Sequence, residues 1–398
     1  MRYCSQRPGG QPAPCPDPDG ANSYLRDALW PALLHHGWSV EHGQFEVHYS
    51  DWVGTTDMDT MVPTFEDLLV EQLERHLTRL SAFEGIAIDR LDYSEFYNYD
   101  MDDNISWVPF RGTGSNLSSW RWGPARSLRV SYQHTFERLH QLLHASTTKL
   151  SGARDGGDKD KSRVRDRLML NNCNWLCRLD LNHAFDGTFS EGAALNSVAF
   201  IGLRQPSILW TYSLSDNVSG LDEYFQQHLL MDVYPMAPMP KNDHSITPGS
   251  AVVEQAYRDY APSFDAMHGA RWLLTTRPLS LRVNASSAPA ANLSAGHANV
   301  FTLPTSTSAA PLGGGLPALL VPLVLADEAV VAVTLGLWLE PTVKELGWPA
   351  VKGVALSVRY PGSSGETPLG EAALVGAVWE ARVPLQRRCA IMTARLRA

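Results

Sequence analysis

The segment between residues 64 and 92 constrains the fold more than any other. Thr64 to Leu80 places Phe65, Leu68, Leu69, Leu73, Leu77 and Leu80 on one face and Glu66, Asp67, Glu71, Glu74 and Arg75 on the other, the 3.6-residue period of an amphipathic helix. It runs almost directly into Gly85-Ile-Ala-Ile88, a continuous apolar run of the kind carried by strands covered on both faces. With Gln44 to Tyr49 as an earlier strand, the order strand, helix, strand predicts a βαβ unit and hence a parallel sheet. The apolar run then breaks into Asp89, Arg90 and Asp92. In α/β barrels, catalytic side chains sit at such C-terminal strand ends. The competing reading is a strand-end ion pair with a structural role only.

Further alternation follows. Ser127 to His144 reads as a helix with Leu128, Tyr132, Phe136, Leu139 and Leu143 on its apolar face, and Arg167 to Leu170 as a strand leading into Asn171 and Asn172. Leu181 to Phe185 precedes a second charged exit, Asp186-Gly-Thr-Phe-Ser-Glu191. A helix over 193–203, strands over 207–213 and 229–234, and a helix over 254–267 complete the series. The long aromatic stretch from Tyr93 to Trp122 reads as a functional loop. Asp100, Asp102 and Asn104 within it have calcium-loop spacing, but Arg111 stands where the closing bidentate Glu would be required, which excludes an EF-hand.

From Arg271 onward helical periodicity gives way to short apolar runs separated by Pro, Gly, Ser and Thr, the pattern of an antiparallel β-sandwich. The expected architecture is therefore α/β: a (β/α)8 TIM barrel over 23–270 followed by a β-sandwich over 271–398, after a disordered Pro/Gly-rich stretch over 1–22. About six of eight barrel units are visible, so the barrel is expected to be incomplete at its N-terminal end.

Composition narrows the partners. A formal net charge of -9 without a basic run on an aromatic platform argues against nucleic acid. Five cysteines, at 4, 15, 173, 177 and 389, are too few and scattered for a disulfide scaffold, and no second pair accompanies Cys173 and Cys177 to hold zinc. The apolar segment Leu316 to Leu339 carries Asp327 and Glu328 at its centre, which favours a β-hairpin over a membrane span. Asn-x-Ser sequons at Asn104, Asn116, Asn217, Asn284 and Asn292 fit passage through the secretory pathway or an extracellular setting, although no leader is visible near Met1. No phosphate-binding loop is present, and neither a cofactor nor a metal is expected.

Strand ends that carry carboxylates can supply the pair that glycosidic hydrolysis needs: one ionised carboxylate at the anomeric centre and one acid for the leaving oxygen. Asp89 is the candidate nucleophile, with Arg90 beside it to keep it charged. Glu191 is the candidate acid/base, with Asp186 as the alternative. Asp92, Trp52, Tyr93, Trp210, Tyr212, Asn242, Asp243 and His244 are candidate sugar-binding groups, aromatic rings for apolar sugar faces and polar groups for hydroxyls. For each aromatic the bland reading is core packing, and for Asn242-Asp243-His244 a capped turn. His183 reads as a structural histidine. A metal-dependent hydrolase built on Asp186, Glu191, Asp243 and His244 is a further alternative, disfavoured because no compact His-rich ligand motif is evident.

A strand ending in Gly-Ile-Ala-Ile-Asp89-Arg90, a later Phe-Asp186-Gly-Thr-Phe-Ser-Glu191 and a β-rich C-terminal part together resemble retaining α-glycosidases of the α-glucosidase and α-galactosidase type, and uncharacterised proteins related to them. The resemblance runs from about Gln44 to Leu281. It implies a barrel with Asp89 at the nucleophile position of strand four, Asp186 or Glu191 at the acid/base position of strand six, and a carbohydrate substrate. Ile88 and Arg90 stand where those enzymes flank the nucleophile with tryptophan. A carbohydrate-binding protein without turnover is the alternative of a different class.

Overall fold

The structure is a computed structural model of the 398-residue chain, described here for residues 32, 35–39, 44–47, 58–80, 85–89, 97–98, 101–111, 120–152, 167–172, 179–191, 194–201, 203, 205–210, 217–236, 250–274, 279–283, 297–303, 318–325 and 332–398. The chain divides into two compact units, Met1–Asp186 and Gly187–Ala398.

The first unit opens with an antiparallel ribbon of β1 (His35–Ser39) and β2 (Gln44–Val47). The expected amphipathic helix is α1 (Pro63–Arg79). Proline at its first turn lacks only an N–H that would find no partner there, and Glu66 complements the positive helix end. β3 (Gly85–Ile88) follows. β4 (Tyr97–Asn98), β5 (Ser106–Arg111) and β6 (Trp120–Ser127) form a three-stranded antiparallel sheet, so the stretch expected to be a loop contains a hairpin. α2 (Leu128–Gly152) leads to β7 (Leu168–Asn172), which pairs in parallel with β3. The parallel sheet is as predicted, but the partner of β3 is β7; the earlier strand expected to form a βαβ unit with it pairs antiparallel with β1 instead. Gly85 is required for the β3–β7 pairing, because a Cβ at that position would collide with the backbone of Leu168. A 3-10 turn over Leu179–Ala184 follows β7. Leu73 of α1, Phe136, Leu139 and Leu143 of α2, Met169 of β7, and Leu181 and Phe185 make the unit's core.

The second unit begins with β8 (Gly187–Glu191), α3 (Leu195–Ile201), β9 (Ser207–Trp210), α4 (Val218–Met231) and β10 (Val233–Pro235), the three strands pairing in parallel in the order β8-β9-β10. The residues read as a charged exit after Phe185 are thus a strand in themselves, and the first half of the expected strand over 229–234 is the last turn of α4, while Val233 and Tyr234 lie in β10. A short apolar run fits either state. Here Asp232, at φ 52°, ends the helix and redirects the chain into β10. α5 (Ala251–Met267) is capped by Ser250, whose hydroxyl accepts from the Val253 N–H. Together the two units establish a mixed α/β fold with parallel strands. No closed ring of parallel strands forms among the described residues.

Antiparallel strands make up the rest: β11 (Arg271–Trp272), β12 (Leu279–Val283), β13 (His297–Ala298), β14 (Phe301–Leu303), β15 (Ala318–Val324) and β16 (Ala332–Leu337), then, after α6 (Leu339–Leu346), β17 (Gly353–Arg359), β18 (Thr367–Glu371), β19 (Ala373–Val375), β20 (Val378–Pro384) and β21 (Cys389–Arg397). One sheet runs β11-β14-β15-β21-β17-β18 and the other β12-β16-β20-β19. Val321 and Leu323 of β15, Val333 and Leu335 of β16, Val354 and Val358 of β17, Val383 of β20 and Met392 of β21 share one apolar cluster. Pro322 is tolerated within β15 because β14 pairs up to Leu320 and β13 resumes at Leu323, leaving 321–322 in the gap. Leu221 and Phe225 of α4 and Tyr260 and Phe264 of α5 pack with Phe301, Leu320 and Ile391 of the first sheet. The change of texture at residue 271 therefore falls inside the second unit.

Candidate functional site

Asp89 stands immediately past the end of β3 and Asn172 is the last residue of β7. The parallel register pairs Ile88 with Asn171, so the next residues on each strand come side by side. Asn172 Nδ2 donates to Asp89 Oδ1 at 2.6 Å. Asn172 is buried and Asp89 is exposed. A fixed amide thus orients an outward-facing carboxylate at the C-terminal edge of a parallel pair, where α/β folds place their chemistry.

Asp186 lies at the other end of β7. Its Oδ2 accepts from the Met169 N–H at 2.8 Å, and its own N–H donates to the Met169 carbonyl at 2.8 Å. Met169 and Asn172 are separated by three residue steps on an extended strand, about 10 Å. Asp89 and Asp186 therefore lack the separation of about 5–5.5 Å at which two carboxyls share a retaining mechanism. Two histidines from α2 face Asp186 instead: His140 Nε2 is 3.1 Å from Oδ1 and His144 Nε2 is 3.2 Å from Oδ2. Burial pushes the Asp186 carboxyl up, but the Met169 N–H and the two imidazoles outweigh it and hold the group below the ordinary carboxylate range. A carboxyl so held suits an anionic acceptor or metal ligand and not a proton donor.

Glu191 ends β8 and is paired in register with Trp210, the last residue of β9. The Trp210 ring is largely buried, 7 % exposed, and has little area to offer a sugar. His183, read as structural, pairs with Glu137 at 2.7 Å on the surface. Trp52, Arg90, Asp92, Tyr93, Tyr212, Asn242, Asp243 and His244 lie outside the described residues.

The structure brings forward groups that sequence reasoning passed over. Asp59, 1 % exposed, accepts from Asn98 Nδ2 at 2.9 Å, Arg126 Nη1 at 3.2 Å, Ser131 Oγ at 2.6 Å and the Met61 N–H at 3.1 Å. It ties β4, β6 and α2 to the entry of α1, a structural role consistent with its complete enclosure. Asp103 accepts from the N–H groups of Ile105, Ser106 and Ser127 and from the Ser106 hydroxyl. Burial raises its pKa, but these bonds together lower it below the usual value. Of the residues with calcium-like spacing, Asp102 serves turn geometry in the same way: its Oδ1 accepts from the N–H of Asn104, which is left-handed at φ 60°, while Asp100 lies outside the described residues. The one legible signal for the Asp186 cluster is His140-x-x-x-His144 within a predicted helix, a spacing that puts both rings on one face.

No protein-family model matches the chain, and no curated protein matches it. Among solved structures, it is similar to a GH30 endoxylanase from Clostridium papyrosolvens C71, with 10 % identity and a TM-score of 0.30 over 73 % of this chain and 76 % of that one. A family 30 subfamily 8 xylanase, Xyn30A, from Clostridium acetobutylicum shows 7 % identity and a TM-score of 0.30 over 70 % of this chain and 64 % of its own. A glycoside hydrolase family 5 protein from Bacteroides vulgatus ATCC 8482 shows 9 % identity and a TM-score of 0.31 over 83 % and 85 %. All three are glycoside hydrolases. Likenesses at these TM-scores carry no argument about this chain, and its function is argued from its own residues.

Proposed function

We propose that the chain is a glycoside hydrolase acting on O-glycosidic bonds of an oligosaccharide or glycoconjugate, with Asp89 as its nucleophile. The observation that supports this is the Asn172–Asp89 pair: a buried amide 2.6 Å from an exposed carboxylate at the C-terminal edge of two parallel strands. Fixed orientation is what a nucleophile requires, because attack succeeds only from a narrow range of positions. In the proposed reaction an Asp89 oxygen forms a bond to the anomeric carbon while the bond to the leaving oxygen breaks. That oxygen takes a proton from a carboxylic acid, and water then releases the sugar. Glu191 is the first candidate for the acid. The (β/α)8 barrel, the β-sandwich and the relation to retaining α-glycosidases belong to this proposal.

The test is release of sugar from aryl glycosides and oligosaccharides by the full chain. Asp89→Asn is expected to lower the rate by at least about 10³-fold with substrate affinity retained, the loss typical of removing a nucleophile. Asn172→Ala is expected to give a smaller loss in the same direction. An unchanged rate in Asp89→Asn overturns the assignment. Glycan binding by the wild type without turnover establishes the non-catalytic carbohydrate-binding alternative instead. Secretion is also part of the proposal, supported by the exposure of the sequon residues Asn104 and Asn217. A mass shift on glycosidase treatment of the chain expressed in a secretory host checks it.

A further inference from the structure

We propose that His140, His144 and Asp186 form a binding site for a divalent transition-metal ion of the zinc class. This site stands apart from Asp89 and does not depend on the glycosidase reading.

Imidazole nitrogens and a carboxylate oxygen are the ligands zinc takes, and two histidines four apart on one helix are a recurring way to present two of them. Around a tetrahedral zinc with ligands at about 2.0–2.2 Å, neighbouring donor atoms lie roughly 3.3–3.5 Å apart. The distances from His140 and His144 to the Asp186 oxygens are 3.1 and 3.2 Å, and one donor atom from each residue falls within 4.8 Å of the others. The two rings meet different oxygens of the carboxylate, and each distance is within a few tenths of an ångström of one tetrahedral edge. A small rotation of the carboxylate or one ring opens room for the ion.

The surroundings fit as well. Asp186 is oriented by the Met169 N–H, the kind of supporting bond that metal-bound carboxylates use. All three side chains are partly exposed, at 27, 36 and 21 %, so an ion has an entry path and water can complete the coordination. Three protein ligands with a fourth position open to water make an accessible site and not a closed structural one. Bound there, the ion would join α2 to Asp186, which is hydrogen-bonded to β7 and lies 46 and 42 residues from the two histidines in the chain. It would replace two polar contacts by coordinate bonds.

The experiment uses the full chain stripped with chelator and titrated with Co²⁺, read by visible absorption, and with Zn²⁺, read by competition with a chromogenic chelator. The wild type is expected to take up one high-affinity ion per chain, with the d–d bands of four-coordinate Co²⁺ and a raised Tm. Loss of one ligand in His144→Gln, or of the anion in Asp186→Asn, is expected to weaken the ion by roughly 100-fold or more, beyond the effect of disturbing a supporting group. Absence of stoichiometric binding by the wild type overturns the proposal whatever the variants do. So does an affinity unchanged within threefold in folded His144→Gln and Asp186→Asn, since other histidines would then be the ligands.

Discussion

Replacing Arg387 by alanine is expected to destabilise the second unit by about 2–3 kcal/mol. That magnitude lies between the near-zero worth of surface ion pairs and the 3–5 kcal/mol lost when a buried charge is stranded. Arg387 sits in the two-residue turn between β20 and β21, where Gln386 and Cys389 exchange backbone hydrogen bonds and Arg387 and Arg388 both have positive φ, 52° and 61°. The turn has the type I′ hairpin form that favours Asn-Gly. Arginine occupies it because the side chain reaches across to two helices. Its Nε donates to Asp222 Oδ2 at 3.1 Å, its Nη2 pairs with Asp222 Oδ1, its Nη1 pairs with Asp259 at 2.6 Å, and the guanidinium lies 5.3 Å from the Tyr260 ring centre. Side-chain exposures of 31 % for Arg387 and 13 % for Asp222 place the network between the buried and surface limits. With about 2–4 °C per kcal/mol for a unit of this size, Tm is expected to fall by about 4–12 °C in calorimetry. Arg387→Gly is expected to lose about 1 kcal/mol less than Arg387→Ala, because glycine escapes the left-handed penalty while losing the same pairs. A Tm within about 1 °C of wild type for Arg387→Ala, or a glycine variant less stable than the alanine variant, would refute this reasoning.

Two further substitutions probe the backbone and the titrating groups. Gly85→Ala is expected to break the β3–β7 pairing, since no side-chain movement relieves a clash with the Leu168 backbone; hydrogen exchange over 85–89 should rise, and unchanged protection would count against the register. Asp232 has an Oδ1 without a hydrogen-bond partner among the described residues, and burial pushes its carboxyl up to about 8 from 3.8. The folded chain thus keeps a proton that the unfolded chain loses above about pH 4, so its contribution is complete below that pH and is lost as pH rises toward 8. Asp232→Asn, which also tolerates positive φ, is expected to raise Tm progressively from pH 4 to 8, with a flat difference ruling the mechanism out. His228 opposes this in the wild type. Burial outweighs its bond to the Val233 carbonyl and lowers its pKa to about 4 from 6.5, so its contribution is lost as pH falls through that window.

Local elements were legible in the sequence where one periodicity dominated. The alternation of Phe65, Leu69 and Leu73 with acidic residues placed α1 to within a residue or two, and Gly85 to Ile88 could hardly be other than a strand. Legibility failed where a few residues served two patterns. Leu229-Leu-Met-Asp-Val-Tyr234 is apolar enough for a strand, and only the left-handed Asp232 divides it into helix end and strand. Gly187 to Glu191 looked like a polar exit because its buried positions include Thr188 and Ser190. At the candidate site, Asp89 could be found because a charge after an apolar run marks a strand end. Its orienting partner Asn172 and the histidines facing Asp186 could not, since they lie 83, 46 and 42 residues from the carboxylates they meet. Such meetings are set by strand register and helix docking, which pairwise spacing does not encode.

β21 is the last strand of the chain order, yet it lies between β15 and β17 at the centre of its sheet. Until Cys389 to Arg397 has been synthesised, β15 and β17 each present an unpaired edge, and the apolar positions of both strands have no neighbour between them. The sheet therefore cannot zip up progressively as the chain emerges. Its completion waits on one long-range closure, which makes this unit slow to fold and leaves two adhesive edges exposed meanwhile. A nascent chain stalled before residue 389 is expected to expose both edges, and synthesis through Arg397 supplies the strand that joins them.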